Sequence, residues 1–431
     1  MRILVIGQCT LHWGRMEFGN IGNYYIIEPF FRELHRVYPD ATIYTTMQMT
    51  DEFCKRENVI CLPMELYFGW NKSDLLIAKK EFEIAEYYSI SGKLSETTAY
   101  IEEVLKSDLV IDFSGDIWGE NADLIGENRF IVGLLKDRVA QLLGKKTAML
   151  AGSPGPFKDD NTLEFAKLVY HNFDIVTNRE SVSRVILDKY NFDLSKTYDL
   201  ACPAFMFEPA TKESIYKYLE NTPIVKSKKP TVGFILCGWN MPSAPFDKWP
   251  RENSEFLVFI ELIKYIIKKY DINICLMSHS NGFDLPPNFK LKHGRDYLFA
   301  EKLNKLLQET EVKDSVFILD DIYSPAETKA IINEFDMLIS GRVHAAVAGL
   351  SQAVPTVIID YGHEPKAHKL IGFAKVAGVE EFVANPKDLN ELITKIDGCW
   401  KRRFELRKML FKNQIEVVRK GRENFDLLLN L

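Results

Sequence analysis

Arg342 and His344 open the otherwise small and apolar stretch SGRVHAAVAGL (340–350). A guanidinium offers a planar fork of donors that matches a carboxylate or a phosphate. An imidazole titrates near neutral pH and can serve as general acid or base. The spacing predicts a helix, because Val343, Ala346, Val347 and Leu350 fall at i, i+3, i+4 and i+7 and form a stripe that would face a sheet. FDMLIS (335–340) reads as the preceding strand and Gly341 as the turn, which puts both polar residues off the stripe at the strand's carboxyl end. Free backbone N–H groups and the positive dipole end of a helix start favour an anion there. The chemistry in view is anion recognition coupled to proton transfer.

Other residues of suitable type also stand at strand ends. Arg179 follows FDIVTN (173–178) in NRESVSRVIL, although on residue type alone it could equally pair with Glu180 or Asp188 at the surface. His279 ends INICLMSH (272–279) and could line the same cleft as His344. Asp112 and Asp116 bracket a Gly-rich turn in DLVIDFSGD, where Asp116 could be a base for an acceptor hydroxyl or cap the turn. Aromatic residues cluster in ELYFGW (65–70) and around Trp118, Trp239 and Trp249, where rings could stack on sugars or close the core.

The elements that must hold these residues form a βαβ pattern. Short β-branched runs, RILVIG (2–7), ATIYTT (41–46), NVICL (58–62), DLVIDF (108–113) and TAMLAG (147–152), alternate with amphipathic segments such as 25–37 and 128–144. The alternation resumes with PTVGFILCG (230–238), INICLMSH, VFILD (316–320), FDMLIS and TVIIDY (356–361), with helices such as 253–270 and 326–335 between. This predicts an α/β protein of two doubly wound, Rossmann-like domains facing a cleft. The expected division is an N-terminal domain over 1–207, presenting the acceptor, and a C-terminal domain over 231–385, holding the donor. A polar linker with three prolines spans 208–230, and a helical tail over 386–431 packs back across the hinge. A chain of 431 residues exceeds what one core usually supports.

Composition narrows the function. With 46% hydrophobic and 26% charged residues the chain is neither disordered nor collagen-like. Its net charge of −6 gives no global basic field for nucleic acid. The seven cysteines are scattered, with no CxxC pair, which suits neither a disulfide framework nor a zinc site, and no metal ligand set is expected. MRILVIG is too short for a signal sequence and no stretch is long enough to span a membrane, so a cytoplasmic protein is expected. The tail WKRRFELRKMLFKNQIEVVRK (400–420) is basic on one face and apolar on another. It reads as a helix packed on its domain, with peripheral membrane contact as the sharper alternative.

The stretch SGRVHAAVAGLSQAVPTVIIDYGHEPKAHKLIG resembles the signature of the polysaccharide pyruvyl transferase family, through Arg342, His344, Pro355, Tyr361 and Lys366. FGNIGN (18–23), DLVIDFSGD, AGSPGPF (151–157) and NRESVSRVIL are similar to further family pieces in the same order, over roughly residues 1 to 375. Asn23 departs from the Asp usual in the first of these, which bears on the acceptor more than on the donor. The family resembles GT-B glycosyltransferases in fold. The resemblance implies transfer of a pyruvyl group from phosphoenolpyruvate to sugar hydroxyls as a ketal, with no cofactor besides that donor. It implies His344 and Arg342 as catalytic residues, and Arg342, Arg179, Lys366, His279, Asn20 and Gly155 as substrate-binding ones. The partners implied are phosphoenolpyruvate and a sugar, glycan or lipid-linked glycan acceptor; the oligomeric state is left open. The alternatives are a nucleotide-sugar glycosyltransferase of the same architecture and a family member that binds glycans without catalysis.

Overall fold

Aliphatic runs buried on both faces form parallel strands under a helical cover. The computed structural model describes residues 1–361 and 368–431. Its first strand, Arg2–Ile6 (β1), buries Ile3 through Ile6 completely or nearly so. Thr42–Thr45 (β2), Val59–Cys61 (β3), Leu109–Asp112 (β4), Lys146–Gly152 (β5), Ile175–Asn178 (β6) and Thr197–Asp199 (β7) follow. They pair in parallel in the order β3-β2-β1-β4-β5-β6-β7, with Ile3 opposite Ile43 on one side and Leu109 on the other.

The second series begins with Thr231–Ile235 (β8) and Asn273–Leu276 (β9). A small antiparallel hairpin, Asn281–Phe283 (β10) with Leu291–His293 (β11), comes next. Val316–Ile318 (β12), Met337–Ser340 (β13), Thr356–Ile359 (β14) and Val383–Ala384 (β15) complete a parallel sheet of order β12-β9-β8-β13-β14-β15. In both sheets the strand order reverses beside the first strand, between β1 and β4 and between β8 and β13. Such topological switch points are where doubly wound sheets open a crevice at their carboxyl ends.

The chain divides into two compact units. The first comprises Met1–Glu17, Ile27–Pro203 and Arg419–Leu431; the second comprises Phe18–Ile26 and Ala204–Val418. Residues 208–230, read from composition as a linker, hold the helices Lys212–Leu219 and Pro223–Lys226 within the second unit. Ile215 and Leu219, four apart, bury the inner face of the first of these. The C-terminal stretch forms the helices Leu389–Lys401 and Arg403–Asp426. Its last residues belong to the first unit, where Asn424 accepts a hydrogen bond from Thr177 Oγ1 (2.7 Å) and donates to the Ala201 carbonyl (2.9 Å).

Candidate active site

In the second unit β13 stops at Ser340 and the helix Val343–Leu350 starts at once, capped by Arg342 in an extended conformation. The helix lies unusually close to its sheet: a Cβ on Gly349 would stand 2.7 Å from Thr356 Oγ1. Close approach buries all eight residues, so the apolar stripe expected from spacing widens to the whole circumference. His344 is only 6% exposed. Its ring meets Phe373 edge-on, with centroids 5.7 Å apart, and lies against Gly22, where an added Cβ would be 2.4 Å from His344 Cβ.

Arg342 is not a bare cation. Asp296 takes its fork in both prongs, accepting from Nε at 2.9 Å and Nη2 at 2.6 Å. Burial works against the charged guanidinium, but the carboxylate more than offsets it and the arginine pKa is raised. Asp296 opens the helix Arg295–Leu307, and its backbone N–H donates to Ser280 Oγ (3.0 Å). Ser280 in turn forms an isolated antiparallel bridge with Asn20. The side chain of Asn20 accepts from the Gly22 N–H (3.1 Å) at the start of the helix Ile21–Val37. Asn20 and Gly22 thus join the second unit although they precede its first strand by two hundred residues of sequence.

His279 lies beyond the end of β9, fully buried, with its ring edge-to-face on Tyr25 at 5.4 Å. Neither of its ring nitrogens meets a hydrogen-bond partner among the described residues. Burial, helped by the nearby Arg342 charge, pushes its pKa down to about 3, so the imidazole is neutral at physiological pH. Asn240 clamps the ends of β8, β13 and β14: its Oδ1 accepts from the Cys237 N–H (2.9 Å), and its Nδ2 donates to the carbonyls of Gly341, Ile359 and Asp360 (3.3 Å each). At the β8/β13 switch point the structure therefore gathers Arg342, His344, His279 and Asn20. Lys366 lies outside the described residues.

Arg179 belongs to the first unit, directly after β6, and is fully buried. Its Nε donates to Ser153 Oγ (2.9 Å) beyond β5, and its Nη2 stands 3.5 Å from Asp116 beyond β4. Three successive strand ends thus converge on one guanidinium. Arg179 is therefore not a surface residue, and Glu180, whose charge acts on it, is itself buried and caps the helix Val182–Lys189 through the N–H groups of Val182 and Ser183. Gly155 has φ of +100°, and its N–H is taken by the Trp118 carbonyl (2.8 Å). Asp112 is buried at the end of β4, where desolvation pushes its pKa up to about 7 against a hydrogen bond from Ser114. Trp118 packs in the core among Phe130, Phe157 and Tyr170. The Trp70 ring has His12 stacked at 4.0 Å and the Arg129 guanidinium at 4.8 Å.

Sequence reasoning missed Asp296, although a signal existed. Asp296, Phe299, Ala300, Leu303 and Leu307 form the buried stripe of their helix. A carboxylate on an apolar stripe needs a buried cationic partner. Ser280 carried no comparable signal, because only long-range packing brings it here; Gly22 stands in FGNIGN, but nothing in that motif pointed to His344. Among the described residues no group of three or more His, Cys, Asp or Glu side chains is placed to hold a metal ion. No described helix is long and apolar enough to cross a membrane.

Two Rossmann-like parallel sheets, each with its polar residues at the carboxyl ends, define a protein of the GT-B class. Solved structures of this fold include the HepE protein of Anabaena in complex with UDP (TM-score 0.58, 12% identity, 100% of both chains). Another is the UDP-GlcNAc 2-epimerase of Neisseria meningitidis (TM-score 0.58, 11% identity, 100% of both chains). In sequence the chain is 23% identical over 416 residues to the amylovoran biosynthesis protein AmsJ of Erwinia amylovora, covering 92% of each. The profile of the polysaccharide pyruvyl transferase family matches residues 20–363. The chain belongs to that family and is a transferase of polysaccharide modification.

Proposed function

We propose that this transferase takes a pyruvyl group from phosphoenolpyruvate and places it, as a cyclic ketal, on two hydroxyls of a sugar or glycan precursor. The observation that supports this best is the pairing at the β8/β13 switch point. An imidazole, His344, sits in the first turn of a helix beside a guanidinium held rigid by Asp296. In the proposed reaction His344 gives a proton to the methylene carbon of phosphoenolpyruvate, which makes C2 electrophilic. The first hydroxyl oxygen bonds to C2 and its proton returns the imidazole to its starting state. The second hydroxyl then displaces phosphate, which carries away the remaining proton. The first-turn N–H groups of the helix suit an anionic donor, and so does Lys366 from its sequence position. Because Asp296 cancels much of its charge, Arg342 fits a positioning role as well as an anion-binding one. Neutral His279 suits hydrogen bonding to a substrate hydroxyl, and Arg179 gives the first unit an anion-binding group.

A thermal-shift series with phosphoenolpyruvate, UDP, GDP and CMP tests the donor. Phosphoenolpyruvate is expected to raise the melting temperature and the nucleotides to leave it unchanged. The reverse result overturns this reading in favour of a nucleotide-sugar transferase. With a candidate acceptor, His344→Ala is expected to lower ketal formation, read by product mass, by about 100-fold or more while the fold is retained.

A further inference from the structure

The helix Arg403–Asp426 carries an exposed face that no core explains. Phe404, Phe411 and Ile415 are 66%, 72% and 80% exposed, among the most open large apolar side chains of the described protein. At about 3.6 residues per turn they fall within roughly 40° of one another, a single line along the helix. Exposed Lys408 and Lys412 flank that line, and so does Arg407, whose Nη2 also donates to the Phe335 carbonyl (3.2 Å). The helix's own acids nearest to it, Glu405 and Glu416, lie about a quarter-turn away or more. All six face residues belong to the second unit.

Scattered exposed apolar residues need no explanation, but an aligned apolar row between basic side chains does. The helix Asp74–Ser91 gives the contrast. Its exposed Leu76, Tyr87 and Ile90 also align, yet exposed Glu83 and Glu86 share their face. The row on Arg403–Asp426 is uniformly basic at its flanks in a chain whose net charge is −6. Pairing two copies through this face would set Lys408 and Lys412 of one against the same cations of the other, which disfavours self-association. An anionic bilayer meets both requirements: its acyl boundary accepts Phe404, Phe411 and Ile415, and its headgroup phosphates attract the flanking cations.

We infer that the Phe404–Ile415 face docks on the surface of membranes containing anionic lipid, with the helix lying in the interface plane. This does not depend on which donor the transferase uses. Vesicle flotation of the full chain tests it, with mixed phosphatidylcholine–phosphatidylglycerol vesicles set against phosphatidylcholine alone. Binding is expected only to the mixed vesicles and is expected to weaken about tenfold at high salt, as screening shortens the reach of the cations. The triple variant F404S/F411S/I415S and the charge reversal K408E/K412E should each abolish flotation while keeping wild-type circular dichroism, because all five side chains are exposed. Failure of the wild-type chain to float with anionic vesicles overturns the inference. So does flotation unchanged in both variants. A concentration-dependent dimer, lost in the triple variant and unaccompanied by vesicle binding, overturns it in favour of self-association.

Discussion

A guanidinium set at a helix start needs a reason to stay there, and Asp296 supplies it. The carboxylate is fully buried, and its two contacts with Arg342, at 2.6 and 2.9 Å, fix the plane of the fork. Removing one member of such a pair strands the other's charge and costs about 3–5 kcal/mol, whereas removing both costs less than the sum. Asp296→Ala is therefore expected to destabilise the second unit by about 3 kcal/mol or more. The double variant D296A/R342A should recover part of that loss. Urea unfolding of the four proteins in the cycle measures the coupling, and purely additive losses would refute the pair's role as one unit. Arg342→Lys should lose activity as well, because an ammonium cannot reproduce the two-pronged contact.

At the scale of elements, two helix starts share one contact. The helix Ile21–Val37 brings Gly22 against the His344 ring, and the helix Val343–Leu350 brings the ring to Gly22. A methyl on Gly22 would sit 2.5 Å from His344 Nδ1, so Gly22→Ala must push the imidazole aside or shift the helix. The expected result is a loss of about 1–3 kcal/mol in stability. Transferase activity should drop far more than a surface Gly→Ala, such as Gly92→Ala, would cause; equal activity in the two variants would sink the assignment. The strands that carry the sheets were legible because runs such as Ile3–Ile6 and Met337–Ile339 are buried on both faces and leave a continuous apolar signal. Helix Val343–Leu350 was legible as an element at a strand's carboxyl end, but its complete burial was not, since small residues pack on every side. Strands β7, β10, β11 and β15 span two or three residues with no longer apolar run around them and leave nothing to read, whereas the equally short β3 and β12 lie within NVICL and VFILD. The placement of Asn20 beside Ser280 was invisible for another reason: it joins residues 260 positions apart, and only tertiary packing specifies that.

The pH dependence of stability involves the whole molecule, because two buried groups in different units titrate with opposite sign. His279, in the second unit, has a folded pKa near 3 against about 6.5 for an unfolded imidazole. The unfolded chain then binds the extra proton, so stability is full above about pH 6.5 and is lost as pH falls towards 3. Asp112, in the first unit, has a folded pKa near 7 against about 3.9 unfolded. Here the folded chain binds the extra proton, so the contribution is full below about pH 4 and is lost as pH rises through 7. Asp137, buried nearby and raised chiefly by desolvation, acts in the same direction as Asp112. Each single proton tilts stability by about 1.4 kcal/mol per pH unit, with opposite slopes where the windows overlap, between about pH 4 and 6.5. Asp112→Asn should therefore flatten the decline of the first unit with rising pH, and His279→Gln should flatten the loss of the second unit in acid. Calorimetry of the wild type and both variants across that interval reads the two slopes separately. A pH profile that neither substitution alters would show that these groups do not titrate in the folded protein as their burial requires.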